Sequence, residues 1–310
     1  MSGIITTSSF AKSLWPGVNT WYGQAYAEYP VEWDKLFEKN TSRRAFEEDV
    51  GTSGLGLAVV KDQAGAITYD SMRQGFTSRY QHVTYGLGFI VTREAFDDDL
   101  YDVVAKKKAQ SLAFSMRQTK EIIAANVYNR AFNTSYVGGD GATLIASAGG
   151  GGSSSAPNVA GGTYTNGVSA AADLSEAALE QACIDIADFK NDRGLKIAVR
   201  PRKLIIPKEL MFEANRILKT DGRPGTDNND LNALKTMGMV PEVVVNHYLT
   251  DTDAWFILTD VKDGLKYFER RGDEFTMDED FDTENAKYKA TARYSFGWTD
   301  RRGIYASPGA

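Results

Sequence analysis

An alternating stretch from Arg79 to Thr92 leads without a break into an acidic segment, Arg93-Glu94-Ala95-Phe96-Asp97-Asp98-Asp99, and then into a long run with a helical period. In the first part Val83, Tyr85, Leu87, Phe89 and Val91 share one face, and His82, Thr84, Gly86 and Gly88 the other, the period of two that marks a half-buried strand. From Arg93 to about Phe132 the period turns helical: Ala105, Ala109, Leu112, Met116, Ile123, Val127 and Ala131 recur at turn-multiples, and no Gly or Pro intervenes before Gly138. Thr92 is placed to cap this helix, and Glu94 and Asp97 to Asp99 fall where negative charge meets the positive end of the helix dipole. Such a helix is a rod of roughly 60 Å.

Upstream, residues 55–92 read as a projecting hairpin. Leu57-Ala58-Val59-Val60 and Ile67-Thr68-Tyr69 lead outward, the alternating stretch leads back, and the polar segment Asp70 to Ser78, with Met72, Arg73, Gln74, Gly75 and Phe76, suits the tip. Residues 1–54 read as an arm, because Trp15, Trp21, Tyr22, Tyr26, Tyr29, Trp33 and Phe37 are scattered without a clean period among Gly, Pro and Ser. An arm cannot bury seven large rings alone. They need the chain's own body or a neighbouring subunit to pack on.

Downstream, Gly138 to Gly167 holds ten glycines, with the Gly/Ser run Gly149 to Ser155 at its centre, and its ordering entropy predicts a mobile loop. An α/β segment follows. Asp173 or Ser175 can cap a helix Glu176 to Lys190 with the stripe Ala178, Leu179, Ala182, Cys183, Ile186 and Phe189. Lys203-Leu204-Ile205-Ile206-Pro207 is a buried-strand signal, with Pro207 opening a helix to Leu218. Beyond a polar loop, Thr220 to Asp230, strands are expected at Glu242 to Tyr248 and Trp255 to Leu258. Strand structure returns at Tyr267 to Arg270 and, past the acidic Asp278-Glu279-Asp280, at Lys287 to Trp298. There Tyr288, Ala290, Ala292, Tyr294, Phe296 and Trp298 form one face, able to lie along the rod.

Composition narrows the function classes. At 310 residues and 42% hydrophobic the chain can bury a real core. Its single cysteine, Cys183, reads as a small core residue, and one Cys with two His excludes Cys-rich zinc sites. The start, Met1-Ser2-Gly3-Ile4-Ile5, lacks a signal peptide's basic and apolar regions, and no stretch approaches about 18 apolar residues. A soluble protein made in a cytoplasm, with no membrane partner, is expected. A net charge of −6 opposes sequence-blind nucleic-acid binding by the surface as a whole. Local basic groups remain at Arg43-Arg44, Lys106-Lys107-Lys108, Arg270-Arg271 and Arg301-Arg302, placed to face DNA or to pair with acidic clusters on neighbours.

Nothing in the motifs assembles a reaction centre. The glycine run lacks the Gly-Lys-Ser/Thr ending of a phosphate loop. His82 and His247 lie in strand patterns, away from any nucleophile elbow. Asp97 to Asp99 and Asp278 to Asp280 read as helix-start and turn charges, and Asp221 to Asp230 misses the spacing of a calcium loop. No catalytic, cofactor-binding or metal-binding residue is expected.

The stretch Tyr85-Gly86-Leu87-Gly88-Phe89-Ile90-Val91-Thr92-Arg93-Glu94-Ala95-Phe96-Asp97-Asp98-Asp99 resembles the place where the extended loop of tailed-phage major capsid proteins enters the spine helix. Lys203 to Leu210 resembles the strand and helix of that family's axial domain, and Arg293-Tyr294-Ser295-Phe296-Gly297-Trp298-Thr299-Asp300 its closing strand. The likeness lies in several weak matches in the correct order. It implies an α+β fold with an N-terminal arm (1–54), an extended β-hairpin loop (55–92), a peripheral domain with the spine helix and the Gly/Ser-rich loop (93–172), an α/β axial domain (173–261) and return strands of the peripheral domain (262–310).

The implied function is that of a major capsid protein. Copies self-assemble as hexamers and pentamers into an icosahedral head around double-stranded DNA, held without sequence specificity, and the protein resides in the virion capsid after assembly in the bacterial host cytoplasm. Portal and separate scaffolding or decoration proteins are the further partners. No long charged helical leader precedes the arm, so a scaffolding region is expected to be encoded separately or already removed. The interface residues expected are Trp15, Trp21, Tyr22, Trp33, Arg43, Arg44, Arg73, Phe76, Arg79, Asp97, Asp98 and Asp99. Two other readings stay open: an encapsulin-like shell holding an enzyme cargo, and a two-lobed soluble enzyme with its site under the Gly-rich loop.

Overall fold

The regular alternation of Lys287 to Trp298 becomes an inner strand of a four-stranded sheet. In the computed structural model, which describes residues 11–92, 94, 105–149, 151–222, 231–279 and 285–310, the chain runs α1 (Ala11–Glu28), β1 (Glu38–Thr41), β2 (Phe46–Thr52), β3 (Gln74–Gln81), β4 (Val83–Val91), α2 (Lys106–Asn129), β5 (Ala156–Pro157), β6 (Thr163–Tyr164), α3 (Glu176–Ala187), β7 (Pro201–Ile206), α4 (Met211–Lys219), α5 (Ala233–Met237), β8 (Glu242–Val245), β9 (Trp255–Thr259), β10 (Leu265–Glu279), β11 (Ala286–Trp298) and β12 (Ile304–Ser307).

The first sheet has the order β1-β10-β11-β4, with β1 parallel to β10 and the other pairs antiparallel. Tyr288, Ala290, Ala292 and Tyr294 of β11 are buried on one face. Phe89 stacks on Tyr288 and Tyr85 on Tyr294, each with ring centroids 4.9 Å apart, the cross-strand pairing that steadies a sheet. Against this face lies α2, whose Ala109, Leu112, Ala113, Met116 and Ala124 join the same core. Small alanines let the helix approach a face made of rings.

The second sheet, β12-β9-β7-β8, is buried on both sides. Ile205, Val244, Phe256 and Ile304 point into the core shared with α2, whereas Leu204, Ile206, Trp255, Ile257 and Tyr305 point into a second core with α3 and α4. Period-two alternation thus assigns adjacent residues to different cores, and this is why Leu204-Ile205-Ile206 is apolar throughout. Ser175 caps α3 by accepting from the Ala178 N–H at 3.2 Å, and Pro207 stands at the entry to the short 3-10 turn Lys208–Leu210 before α4. Cys183 lies in the second core, where burial pushes its thiol up to about 11.

Two charged side chains of α2 are buried where the helical stripe predicted only apolar ones. Glu121 accepts the backbone N–H of Trp33 at 2.9 Å and of Glu32 at 3.1 Å, so the spine caps the 3-10 turn Trp33–Lys35 from outside. Burial raises its carboxyl above the ordinary value while those N–H groups pull the other way. Lys120 sits among the rings of Trp33, Tyr267 and Tyr294, at 4.2, 4.5 and 5.3 Å, with Glu269 at 3.7 Å. Burial depresses its ammonium to about 8, against the pull of Glu269.

The structure corrects three expectations. The aromatic arm contains an 18-residue helix, α1, which continues through Pro16 and buries Val18, Tyr22 and Ala25 as a stripe. It packs on α2, where Arg117 lies over the Tyr26 ring at 4.9 Å and Tyr29 meets Phe114 at 4.9 Å. The strands expected at Leu57 to Val60 and Ile67 to Tyr69 do not form; the outgoing strand is β2, within the segment read as arm, and it pairs with β3. Among the described residues, 53–73 have no partner strand, and an unpaired strand does not hold its shape in water.

The flanks of the Gly/Ser run are packed rather than loose, while Gly149 and Gly151 to Ser155 are exposed or half-buried. Ala142 to Ser147 are buried, and Asn166 gathers the carbonyls of Leu144, Arg301 and Ile304 at 3.0 to 3.1 Å. At Gly139 a Cβ would stand 2.1 Å from the Thr77 carbonyl oxygen, so that glycine serves close approach, not looseness. The described spine runs from Lys106 to Asn129, about 36 Å, and the expected helix start at Arg93 and Asp97 to Asp99 lies outside the described residues.

Glu121→Ala is expected to destabilise the isolated chain by about 1–3 kcal/mol in urea denaturation, since it leaves the Trp33 and Glu32 N–H groups unmet. Lys120→Met is expected to be tolerated. The unfolded chain holds the Lys120 proton up to its ordinary value of 10.5 and the folded chain only to about 8, so wild type should gain stability relative to Lys120→Met as pH rises through that window. A constant difference between the two proteins across it would contradict the assignment.

Candidate assembly surfaces

The β2–β3 ribbon leaves the body at a root of polar contacts. Asp49 on β2 accepts from Lys266 Nζ at 2.6 Å and from Thr299 Oγ1 at 2.9 Å, and the Tyr80 and Thr299 hydroxyls lie 2.6 Å apart. Lys266 also pairs with Asp263 at 2.6 Å; burial works against its charge, but the two carboxylates outweigh it and hold the ammonium above its ordinary value.

His82 marks the joint between β3 and β4. It is buried, with Nδ1 3.0 Å from Ser295 Oγ and Nε2 3.0 Å from Ser42 Oγ. Ser42 spends its hydroxyl proton on Glu47 and accepts the Arg44 N–H. Nε2 must therefore donate to Ser42 while Nδ1 accepts from Ser295, which fixes the neutral tautomer. Burial, then the Arg293 charge, holds its pKa below the ordinary 6.5, with Glu47 opposing and Arg270 adding to the depression.

Beyond the root, residues 55–70 are exposed throughout, including Leu55, Leu57, Val59 and Ile67; Val60 is 91% and Tyr69 90% exposed. The turn 53–73 is nonetheless tied at its neck. Ser53 accepts the Arg73 N–H at 2.8 Å, Asp70 accepts from Gly56 N at 2.8 Å, and Arg193 reaches across to the Gly54 carbonyl at 3.1 Å and the Ser71 carbonyl at 2.6 Å. The Gly56 and Ser71 N–H groups, then Arg193, hold the Asp70 carboxyl below the ordinary range. A second apolar exposure lies on the α/β lobe, at Phe212, Leu231 and Met237.

The expected interface residues fall into distinct settings. Arg43, Arg44, Arg73 and Arg79 are exposed around the ribbon, with Arg79 stacked on Phe46 at 3.9 Å and 3.7 Å from Glu48. Phe76 on β3 is part-exposed. Trp21 is half-buried on α1 under Lys106 at 5.7 Å, and Trp15 belongs to α1 as well. Tyr22 and Trp33 correct the expectation: both are buried in their own subunit, Tyr22 stacked on Phe275 at 4.5 Å and bonded to Asp273, Trp33 against Tyr267 at 4.5 Å. Their area is already removed from water, so neither is free for a neighbour. Asp97, Asp98 and Asp99 lie outside the described residues. Sequence reasoning missed Arg193 and Ser42, whose partners are distant in the chain.

The described residues hold no cluster of three or more potential metal ligands and no helix long and apolar enough to cross a membrane. A spine helix along a sheet, a polar-rooted ribbon carrying exposed apolar residues and an α/β lobe whose sheet is shared with the spine's core make up the fold of capsid subunits. The same fold is found in a chain from Microbacterium phage Oxtober96 (TM-score 0.53, 10% identity, 91% of this chain and 93% of that one). It recurs in the procapsid of bacteriophage JBD30 (0.52, 14%, 98% and 76%) and in the virus-like particle from Pyrococcus furiosus (0.52, 10%, 94% and 98%). The phage capsid protein family matches residues 75–307, most of the chain, and the chain belongs to that family. No curated protein matches it in sequence. It is a capsid shell protein with the tailed-phage capsid fold.

Arg193→Ala is expected to speed amide hydrogen exchange in residues 53–73 while leaving β10 and β11 protected; unchanged exchange in the turn would show that Arg193 does not hold it. A folded chain that refuses the His82 proton loses stability as pH falls below 6.5, because the unfolded chain takes that proton up. The ribbon root should accordingly loosen between about pH 7 and pH 5.5, and His82→Gln should flatten that part of the pH profile.

Proposed function

We propose that this protein is the major head subunit of a tailed phage, assembling as hexamers and pentamers into an icosahedral shell around double-stranded DNA. The observation that carries the reading is the ribbon's apolar tip, held by a polar neck and without a core of its own. Exposed apolar area of this kind, on an element fixed in direction, is a docking surface for another copy. Repetition of one such heterologous contact closes into rings and shells.

In this reading residues 46–81 are the extended loop, α1 and the segment after it an arm laid along its own spine, α2 with the first sheet the peripheral domain, and the α/β lobe the axial domain. Phe212 and Met237 would lie among the contacts around hexamer and pentamer centres. A net charge of −6 leaves the DNA enclosed rather than adsorbed, without sequence preference. Assembly in the host cytoplasm, with a portal and separate scaffolding or decoration proteins, completes the proposal.

The likeness to the Pyrococcus furiosus virus-like particle supports a second reading, a shell of the same architecture holding an enzyme cargo. Particle contents separate the two. Nucleic acid in mature particles supports the phage head; a protein cargo in its place supports the compartment.

Substituting Val60 and Tyr69 together by Asp is expected to leave a folded, soluble subunit with an unchanged circular dichroism spectrum but no shells, tubes or capsomers in negative-stain microscopy. Particles of normal size and yield from the double variant would remove the ribbon tip from the interface.

A further inference from the structure

Where α1 meets the first sheet, a carboxylate is shut in with too few partners. Asp273 stands in β10 where the pairing with β11 slips twice, between Glu269 and Arg271 and again between Arg271 and Glu274. The second bulge sets Gly272 and Asp273 together against Ala292 and turns the carboxyl toward α1. Its Oδ2 accepts from the Tyr22 hydroxyl, while Oδ1, closed off from solvent, has no hydrogen-bond partner. The neighbouring cations are engaged elsewhere. Lys120 lies beside Glu269, Arg271 pairs with Glu274 at 3.5 Å, and Arg117 covers the Tyr26 ring at 4.9 Å. None of them forms an ion pair with Asp273 among the described residues, and a buried charge left half-satisfied is costly.

The helix held at this point is weak by itself. Pro16, Gly17 and Gly23 lie inside α1, and neither an acidic first turn nor a basic last turn offsets them. It stands by docking one face, with Val18, Tyr22 and Ala25 buried and Tyr22 stacked on Phe275 at 4.5 Å. The same docking shuts Asp273 in. Burial raises its carboxyl above the ordinary 3.8, against the Tyr22 hydrogen bond and the charges of Lys120 and Arg117. The other titratable groups facing it are phenols, Tyr22 and Tyr26 of α1 and Tyr294 of β11; burial raises all three, so they keep their protons wherever the carboxyl titrates. Lys120, at about 8, stays cationic there.

We propose that the Tyr22–Asp273 contact is a proton-gated latch on the arm helix: α1 docks tightly when Asp273 carries a proton and is poised to lift from the sheet when it does not. Undocked, the carboxyl meets water and holds its proton only up to its ordinary value; docked, it holds the proton to higher pH. Docking therefore takes up a proton, and this stabilisation, full below 3.8, is lost as pH rises through the docked value. At neutral pH α1 is held against the cost of a shut-in charge. The latch is a property of the single chain and does not depend on what a shell encloses.

The test is amide hydrogen exchange in α1 of the isolated chain, corrected for intrinsic rates, from about pH 7 to about pH 4.5, with exchange in β11 as the control for an intact body. In wild type, protection of α1 is expected to rise as pH falls. Asp273→Asn keeps an acceptor for Tyr22 and removes the charge, so α1 should be about fivefold better protected than wild type at pH 7 and should lose the pH dependence. Tyr22→Phe takes away the carboxylate's one partner and should loosen α1 at pH 7, with the difference from wild type shrinking toward acid. Should Asp273→Asn lose β11 protection, and so fail to fold, the wild-type and Tyr22→Phe series decide. Wild-type protection that stays constant or falls toward acid, no added protection at pH 7 in a folded Asp273→Asn chain, or no loosening in Tyr22→Phe overturns the proposal.

Discussion

A two-stranded ribbon cannot stabilise itself in water, and that constraint organises this subunit. The β2–β3 pair has no layer packed over its outer part, so its direction must be fixed where it leaves the body. The contacts there are polar and directional: Asp49 with Lys266 and Thr299, His82 between Ser42 and Ser295, Arg193 across the neck. Each contributes only about 0.5–1.5 kcal/mol net, less than a buried Phe or Leu, yet each accepts one geometry. A greasy root would hold the ribbon as firmly and aim it less well. The tip, by contrast, carries apolar side chains that none of the described residues covers.

The body that carries this root is stiff because one sheet serves two cores. Ile205 and Phe256 face the spine while Leu204, Ile206, Trp255 and Ile257 face α3 and α4, so the α/β lobe is not tethered by a linker but shares strands with the spine's core. Displacing one lobe against the other would open both faces of that sheet. The same logic applies to α1, whose Val18, Tyr22 and Ala25 fill the core beside α2.

How much of this was legible follows from where each residue's partners lie. Strands β4, β7, β9 and β11, helix α3 with its Ser175 cap and the burial of Cys183 could be read because their apolar period is local and complete. Helix α1 could not, since Pro16, Gly17 and Gly23 argue against a helix that exists through packing on α2. Strand β2, Phe-Glu-Glu-Asp-Val-Gly-Thr, is mostly polar because both its faces meet water or polar groups. Glycines that look like slack, such as Gly139, mark where two backbones touch. Of the residues expected at an interface, Arg43, Arg44, Arg73, Phe76 and Arg79 are exposed around the ribbon, whereas Tyr22 and Trp33 show that a ring in an irregular segment does not declare whether it serves its own core or a neighbour's.

Burial of Lys120 and Glu121 belongs to the same problem seen from the spine. On a helical wheel two adjacent charges look like a solvated face, but Glu121 is consumed by backbone N–H groups 88 and 89 residues upstream, and Lys120 by rings from both ends of the chain. A charge buried this way contributes little net stability, because its desolvation offsets most of what it gains. What it supplies is uniqueness: only one placement of the Trp33 turn satisfies Glu121, and only one spacing of the rings receives Lys120. Since that turn leads directly into β1 and the ribbon follows β1, two buried charges on the spine determine where the ribbon begins, and the polar root then determines where it points.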